Sequence, residues 1–119
     1  MTIKRVGVVG CGLMGSGIAE VCAKSGYTVV VHEASSDLLQ AGMKRITGSL
    51  ERAVSKGKLS AEDRDACLAR IMGATDLGAM HECDLVIEAI TEKIELKRHV
   101  FAELDRITPP HAILASNTS

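Results

Sequence analysis

Gly10, Gly12 and Gly15 in the stretch GCGLMG, with a carboxylate 18 residues beyond the last of them at Glu33, are the residues whose types and spacing could do chemistry. A G-x-G-x-x-G run that joins a strand to a helix forms a cradle for phosphate. Gly10 would make the tight turn, Gly12 would let backbone approach a pyrophosphate, and Gly15 would let helix and strand pack closely. The backbone N–H groups around Cys11, Leu13 and Met14 then face the phosphates, with the helix dipole behind them. Glu33 falls where an acidic side chain accepts bonds from adenosine ribose hydroxyls and repels a 2′-phosphate, which points to NAD over NADP. Each feature alone has a plainer reading, a ligand-free glycine turn and a solvated strand-end charge. Their combined spacing favours the cofactor.

The elements around these residues must put them in place. IKRVGVVG at 3–10 predicts a buried strand, and TVVVHE at 28–33 a second one, apolar on both faces. Between them Leu13, Gly17, Ile18, Val21, Cys22 and Ser25 fall at helical spacing, with Gly26 as a stop, and the small residues Ser16, Gly17 and Ala19 suit close helix packing. This completes a βαβ unit. Leu39, Met43, Ile46, Leu50 and Ala53 predict a long helix capped by Ser35, Ser36 or Asp37 and ended by Gly57. A second helix begins at Ser60 in a capping-box-like S-x-x-D and turns Cys67, Leu68 and Ile71 inward. This hairpin is expected to project from the body. Downstream, 73–77 predicts a weak strand, 83–90 a strong one and 111–116 another. A helix over 92–107 carries Leu96, Val100, Leu104 and Ile107 on one side and stops at Pro109 and Pro110. The expected fold is α/β, a Rossmann-type doubly wound parallel sheet with a long helical hairpin after the second strand, occupying 1–119 as one domain.

Composition excludes several functions. With 14 basic and 15 acidic residues, no basic block and 2% aromatics, nucleic acid is an unsuitable partner. The apolar run at 6–9 is too short for a bilayer span, so no membrane role is expected and a cytoplasmic location is the default. Cys11, Cys22, Cys67 and Cys83 match no zinc or redox spacing and suit small buried hydrophobes, and no metal site is expected. Cys11 needs no redox role to explain its place in the loop.

Three stretches carry a more specific signal: VGVVGCGLMGSGIAEV, DLVIEAITEKIELK and LASNTS. In this order and spacing they resemble the N-terminal domain of the 3-hydroxyacyl-CoA dehydrogenases, in particular the bacterial 3-hydroxybutyryl-CoA dehydrogenases, over the whole chain. The resemblance places the family's acidic ribose ligand, usually Asp, on Glu33, and its cofactor-approaching glutamate and lysine on Glu92 and Lys97. Thr91 and Lys93 depart from the family's pattern. Without the resemblance, Glu92 and Lys97 would be an exposed pair at a helix start. The coenzyme A contacts of the family fall on Ser49 and Lys56 of the hairpin, although Lys56 could equally be a solvated lysine. Ser119 falls on the serine that hydrogen-bonds the substrate's 3-hydroxyl or keto oxygen.

The resemblance implies oxidation of a (3S)-3-hydroxyacyl-CoA, short acyl chains favoured, with hydride transfer to NAD. The family's general-base histidine and the glutamate that orients it lie in segments that the 119 residues do not include, as does a helical domain through which the family forms homodimers. The chain is therefore expected to be a truncated part of such an enzyme, able to bind NAD and without turnover. Two alternatives stay open: a stand-alone NAD-binding module that senses redox state, and the nucleotide domain of another β-hydroxyacid or nucleotide-sugar dehydrogenase.

Overall fold

Valine supplies most of the two strands that flank the glycine loop. Branched side chains buried on both faces suit a parallel sheet covered on each side. In the computed structural model, which describes residues 2–90 and 94–116, Arg5–Val9 (β1), Thr28–His32 (β2), Ile71–Ala74 (β3), Leu85–Glu88 (β4) and Ile113–Ser116 (β5) form one sheet in the order β3-β2-β1-β4-β5. Every pairing is parallel, and Val8 stands beside Val31 on one side and Ile87 on the other. The strand order reverses between β1 and β4. Open α/β sheets bind ligands in the crevice that such a reversal leaves at the carboxyl ends of the strands.

Alternation along the strands builds two cores. Val6, Val8, Val29 and Val31 pack with residues of α1 (Leu13–Lys24), α2 (Ser36–Ser55) and α3 (Ala61–Ala69), among them Ala19, Ile46 and Cys67. Val9, Val30 and Val86 pack on the opposite face with Met80 and Cys83 and with Val100 and Leu104 of α4 (Ile94–Ile107). The side chain of Leu96 lies outside the described residues. The predicted caps form: Ser35 Oγ accepts from Leu38 N–H at 3.2 Å and Ser60 Oγ from Asp63 N–H at 3.0 Å.

Four expectations need correction. The buried face of α1 is Gly15, Ser16, Ala19 and Ala23, while Leu13 and Val21 are exposed. The helix lies too close to the sheet for large side chains between them, so small size outweighs hydrophobicity in choosing the inner face. The hairpin does not project as a whole. Gly42, Ile46 and Leu50 of α2 and Cys67 of α3 are buried against the body, while the run from Ser55 to Lys58 at the turn is exposed. Ile71 is the first residue of β3, paired with Val29, and not the last of a helix. Arg70 caps α3 and anchors the boundary by donating from Nη1 to the Ala23 carbonyl at 2.8 Å. Finally, Leu77–Glu82 forms a 3-10 helix started by Asp76, whose side chain accepts from Gly78 N–H at 2.9 Å. That Asx turn ends the third strand earlier than its composition suggests.

Candidate functional site

The glycine loop folds as its spacing demands. Gly10 has φ of +97°, a left-handed conformation that favours glycine, and its N–H donates to the His32 carbonyl at 2.9 Å. Gly15 brings α1 onto the loop so closely that a Cβ there would stand 1.7 Å from the Gly10 carbonyl oxygen. Gly12 differs from both. Its φ is −73°, and a Cβ there would meet no atom within 4 Å. It lines a cavity of about 280 Å³ with Gly10, Leu13, Met14, Glu33 and Ile90. Any side chain at Gly12 would therefore stand in open space that a ligand needs.

Helix α1 has no side-chain cap and no acidic residue in its first turn. The positive end of the helix dipole therefore faces the cavity without an acidic side chain to offset it, which favours an anion there. Glu33 lies one residue past β2, where its Oε2 accepts the Cys11 N–H at 2.7 Å. Oε1 takes no hydrogen bond among the described residues, which leaves a carboxylate oxygen for a ribose hydroxyl. The cavity therefore has an anion-attracting loop at one wall and a hydroxyl acceptor beside it. This fits a dinucleotide.

Cys11 is a structural residue. Its thiol is buried against Gly42 of α2, where a Cβ would lie 2.3 Å from Sγ. Burial pushes the thiol pKa up, against the opposing hydrogen bond with Ser16. A neutral, enclosed thiol suits packing, and thiolate chemistry does not follow from it.

Beyond the loop the predicted residues scatter. Lys97 of α4 does not line the cavity; its Nζ turns inward to 3.8 Å from Oε2 of Glu88, a glutamate with no exposed surface. Ser49 and Lys56 do not line it either. They continue along one face of α2, with Lys56 about 16 Å from Arg45 at 1.5 Å rise per residue. Glu92 and Ser119 lie outside the described residues.

Of three residues that the sequence did not single out, Arg45 and His32 line the cavity and Glu88 is buried next to its lining residues Ala89 and Ile90. Glu88 ends β4 and accepts the Ser116 hydroxyl on Oε1 at 2.6 Å and the Ile90 N–H on Oε2. Arg45 lines the cavity and donates from Nη1 to the Cys11 carbonyl at 3.2 Å. His32 lines it as well, with Nδ1 unpartnered among the described residues, and burial lowers its pKa. The available signals were slight: His32 adjoins Glu33, and Arg45 precedes Ser49 by one helical turn. Among the described residues no set of three or more His, Cys, Asp or Glu could hold a metal ion.

Comparison with known proteins converges on one family. The profile of the 3-hydroxyacyl-CoA dehydrogenase NAD-binding domain matches residues 5–119. A 3-hydroxybutyryl-CoA dehydrogenase of Mycobacterium tuberculosis is 53% identical over 118 residues, covering 98% of this chain and 41% of that protein. The crystal structure of M. tuberculosis FadB2 superposes with a TM-score of 0.98 at 52% identity, over 100% of this chain and 42% of that one. The (S)-3-hydroxybutyryl-CoA dehydrogenase PaaH1 of Ralstonia eutropha gives 0.95 at 42% identity, over 99% and 42%. The 119 residues thus span about two fifths of the length of these relatives. With its glycine loop, the Glu33 carboxylate beyond β2 and a 3-2-1-4-5 sheet, the chain belongs to the NAD-binding domain family of the 3-hydroxyacyl-CoA dehydrogenases.

Proposed function

We propose that this chain is the cofactor-binding part of an enzyme that oxidises a (3S)-3-hydroxyacyl-CoA, with short acyl chains such as 3-hydroxybutyryl favoured, to the 3-oxoacyl-CoA. The observation that carries the reading is the Cys11–Glu33 contact. One carboxylate oxygen fixes the glycine loop while the other stays available beside a cavity open at Gly12. When bound, NAD supplies the hydride acceptor. The chain's own residues bind and orient: Gly10, Gly12 and Gly15 shape the phosphate cradle, and Glu33 selects an unphosphorylated ribose.

Loss of hydride from C3 requires the hydroxyl proton to leave as well, and a positioned base contributes about 10² to 10⁴ in rate. By resemblance that base is a histidine outside the 119 residues. Ser119 would hydrogen-bond the substrate oxygen, Ser49 and Lys56 would meet the coenzyme A portion, and Glu92 and Lys97 would approach the cofactor. The names of the relatives support the substrate class, and resemblance alone supports a homodimeric parent.

Calorimetric titration with NAD, NADP and acetoacetyl-CoA tests the reading. NAD should bind, NADP should bind more weakly, and steady-state oxidation of a 3-hydroxyacyl-CoA by these 119 residues should be negligible. Absence of NAD binding would remove the basis of the cofactor assignment, and turnover by the chain alone would refute the placement of the base.

A further inference from the structure

Among the described residues that line the cofactor cavity, Arg45 is the one permanently charged cation and Glu33 the one carboxylate. Arg45 projects from the middle of α2, and its Nη1 hydrogen bond to the Cys11 carbonyl holds the guanidinium over the glycine loop. The described residues give it no ion-pair partner. A guanidinium has five N–H donors, and the Cys11 carbonyl takes one of them. The rest, with a full positive charge, lie at the rim of a loop whose own donors are only partial charges. Arginine suits phosphate because its planar fork can meet two oxygens at once.

Resting on the NAD reading above, we propose that Arg45 is a phosphate anchor of the bound nucleotide, supplying the counter-charge that the glycine loop lacks. The target is the 5′-linked pyrophosphate, the phosphate group that NAD carries. Glu33 and Arg45 both engage Cys11, the carboxylate through its N–H and the guanidinium through its carbonyl. The two charges therefore frame the adenosine end of the cavity from the same residue.

The test titrates the chain and its Arg45→Met variant with adenosine, AMP, ADP-ribose, NAD and NADP. Arg45 is exposed, so the variant should keep the fold, and urea unfolding checks this. Weakening of AMP, ADP-ribose and NAD by about tenfold or more, with adenosine unchanged, supports the anchor at the 5′-linked phosphates. Weakening confined to NADP overturns it, because NAD carries no 2′-phosphate. Arg45→Lys should retain part of the lost affinity, since it keeps the charge and loses the fork. Equal weakening of adenosine and ADP-ribose, or no weakening of any phosphate-bearing ligand, overturns the proposal while leaving the cofactor reading intact. If the unsubstituted chain binds none of these nucleotides, both fall together.

Discussion

The Ser116 hydroxyl at the end of β5 donates to Glu88 Oε1 at the end of β4, 2.6 Å away, and Glu88 has no exposed surface. The other oxygen accepts the Ile90 N–H and faces Lys97 Nζ at 3.8 Å. One carboxylate thus ties together the ends of two strands and helix α4 at the ligand edge of the sheet. A buried charge survives only when paired and hydrogen-bonded. Glu88→Ala should destabilise the chain by roughly 2–4 kcal/mol, because it strands the Ile90 N–H and unpairs Lys97. Glu88→Gln, which keeps the size and one acceptor, should cost about 1 kcal/mol. Urea unfolding of the two variants checks this, and equal costs would mean that the hydrogen bonds and the charge pair contribute nothing separately.

Gly12 and Gly15 should separate binding from folding. Alanine at Gly15 puts its Cβ 1.7 Å from a backbone oxygen, so α1 must move away from the loop at a cost of about 3 kcal/mol or more. Alanine at Gly12 meets nothing within 4 Å and should change stability by less than about 0.5 kcal/mol. Its methyl group would still occupy the approach to the cofactor. NAD affinity of Gly12→Ala should fall by about tenfold, equivalent to about 1.4 kcal/mol. Unchanged affinity in a folded Gly12→Ala chain would show that no ligand backbone comes close to the loop.

Acid stability should depend on Asp84. Its Oδ1 bonds His111 Nε2 at 2.8 Å, and its Oδ2 accepts the Lys4 and Arg5 N–H groups at 2.9 and 3.1 Å. The His111 contact, and then the two backbone donors, lower its pKa to about 2. In the unfolded chain the carboxyl returns to about 3.9. The unfolded state therefore takes up the proton first as pH falls. The contribution of Asp84 is fully present above about pH 4 and is lost between there and about pH 2. Asp84→Asn should lower the urea midpoint at neutral pH and flatten its fall across that window. A variant whose midpoint falls as steeply as that of the unsubstituted chain would sink this assignment.

What was legible in the sequence was what backbone geometry alone decides. The turn at Gly10, the close approach at Gly15 and the position of Glu33 all follow from the local path of a βαβ unit, so spacing sufficed for them. On α1 the small residues Gly15, Ser16 and Ala19 mark the close-packed face and are buried, whereas Leu13 and Val21 of the periodic set stand exposed, because hydrophobic periodicity takes no account of how little room the sheet leaves. Ile71 was misplaced because one apolar residue satisfies helix and strand periods equally at a boundary. Glu88 and Arg45 were illegible for a different reason. Glu88 sits within an apolar run and finds its partner 28 residues away, and Arg45 reaches a carbonyl 34 residues before it. No local pattern encodes such contacts; they exist only once the sheet and α2 have closed.

Glu33 should govern both the fit of the loop and the choice of cofactor. Its Oε2 satisfies the Cys11 N–H, and its Oε1 has no partner among the described residues. Glu33→Ala removes both functions, so NAD should bind about tenfold more weakly or worse, as expected for loss of a charged hydrogen-bond acceptor. Glu33→Gln keeps an acceptor for the Cys11 N–H while losing the negative charge, so loop geometry and much of the NAD affinity should survive. What should change is selectivity, because a neutral amide no longer repels a 2′-phosphate. The ratio of NAD to NADP affinity should therefore fall in Glu33→Gln more than NAD affinity itself does. Parallel titrations with the two cofactors measure this directly. If both affinities drop together and the ratio holds, Glu33 acts only as a brace for Cys11, and discrimination against the 2′-phosphate resides elsewhere in the cavity.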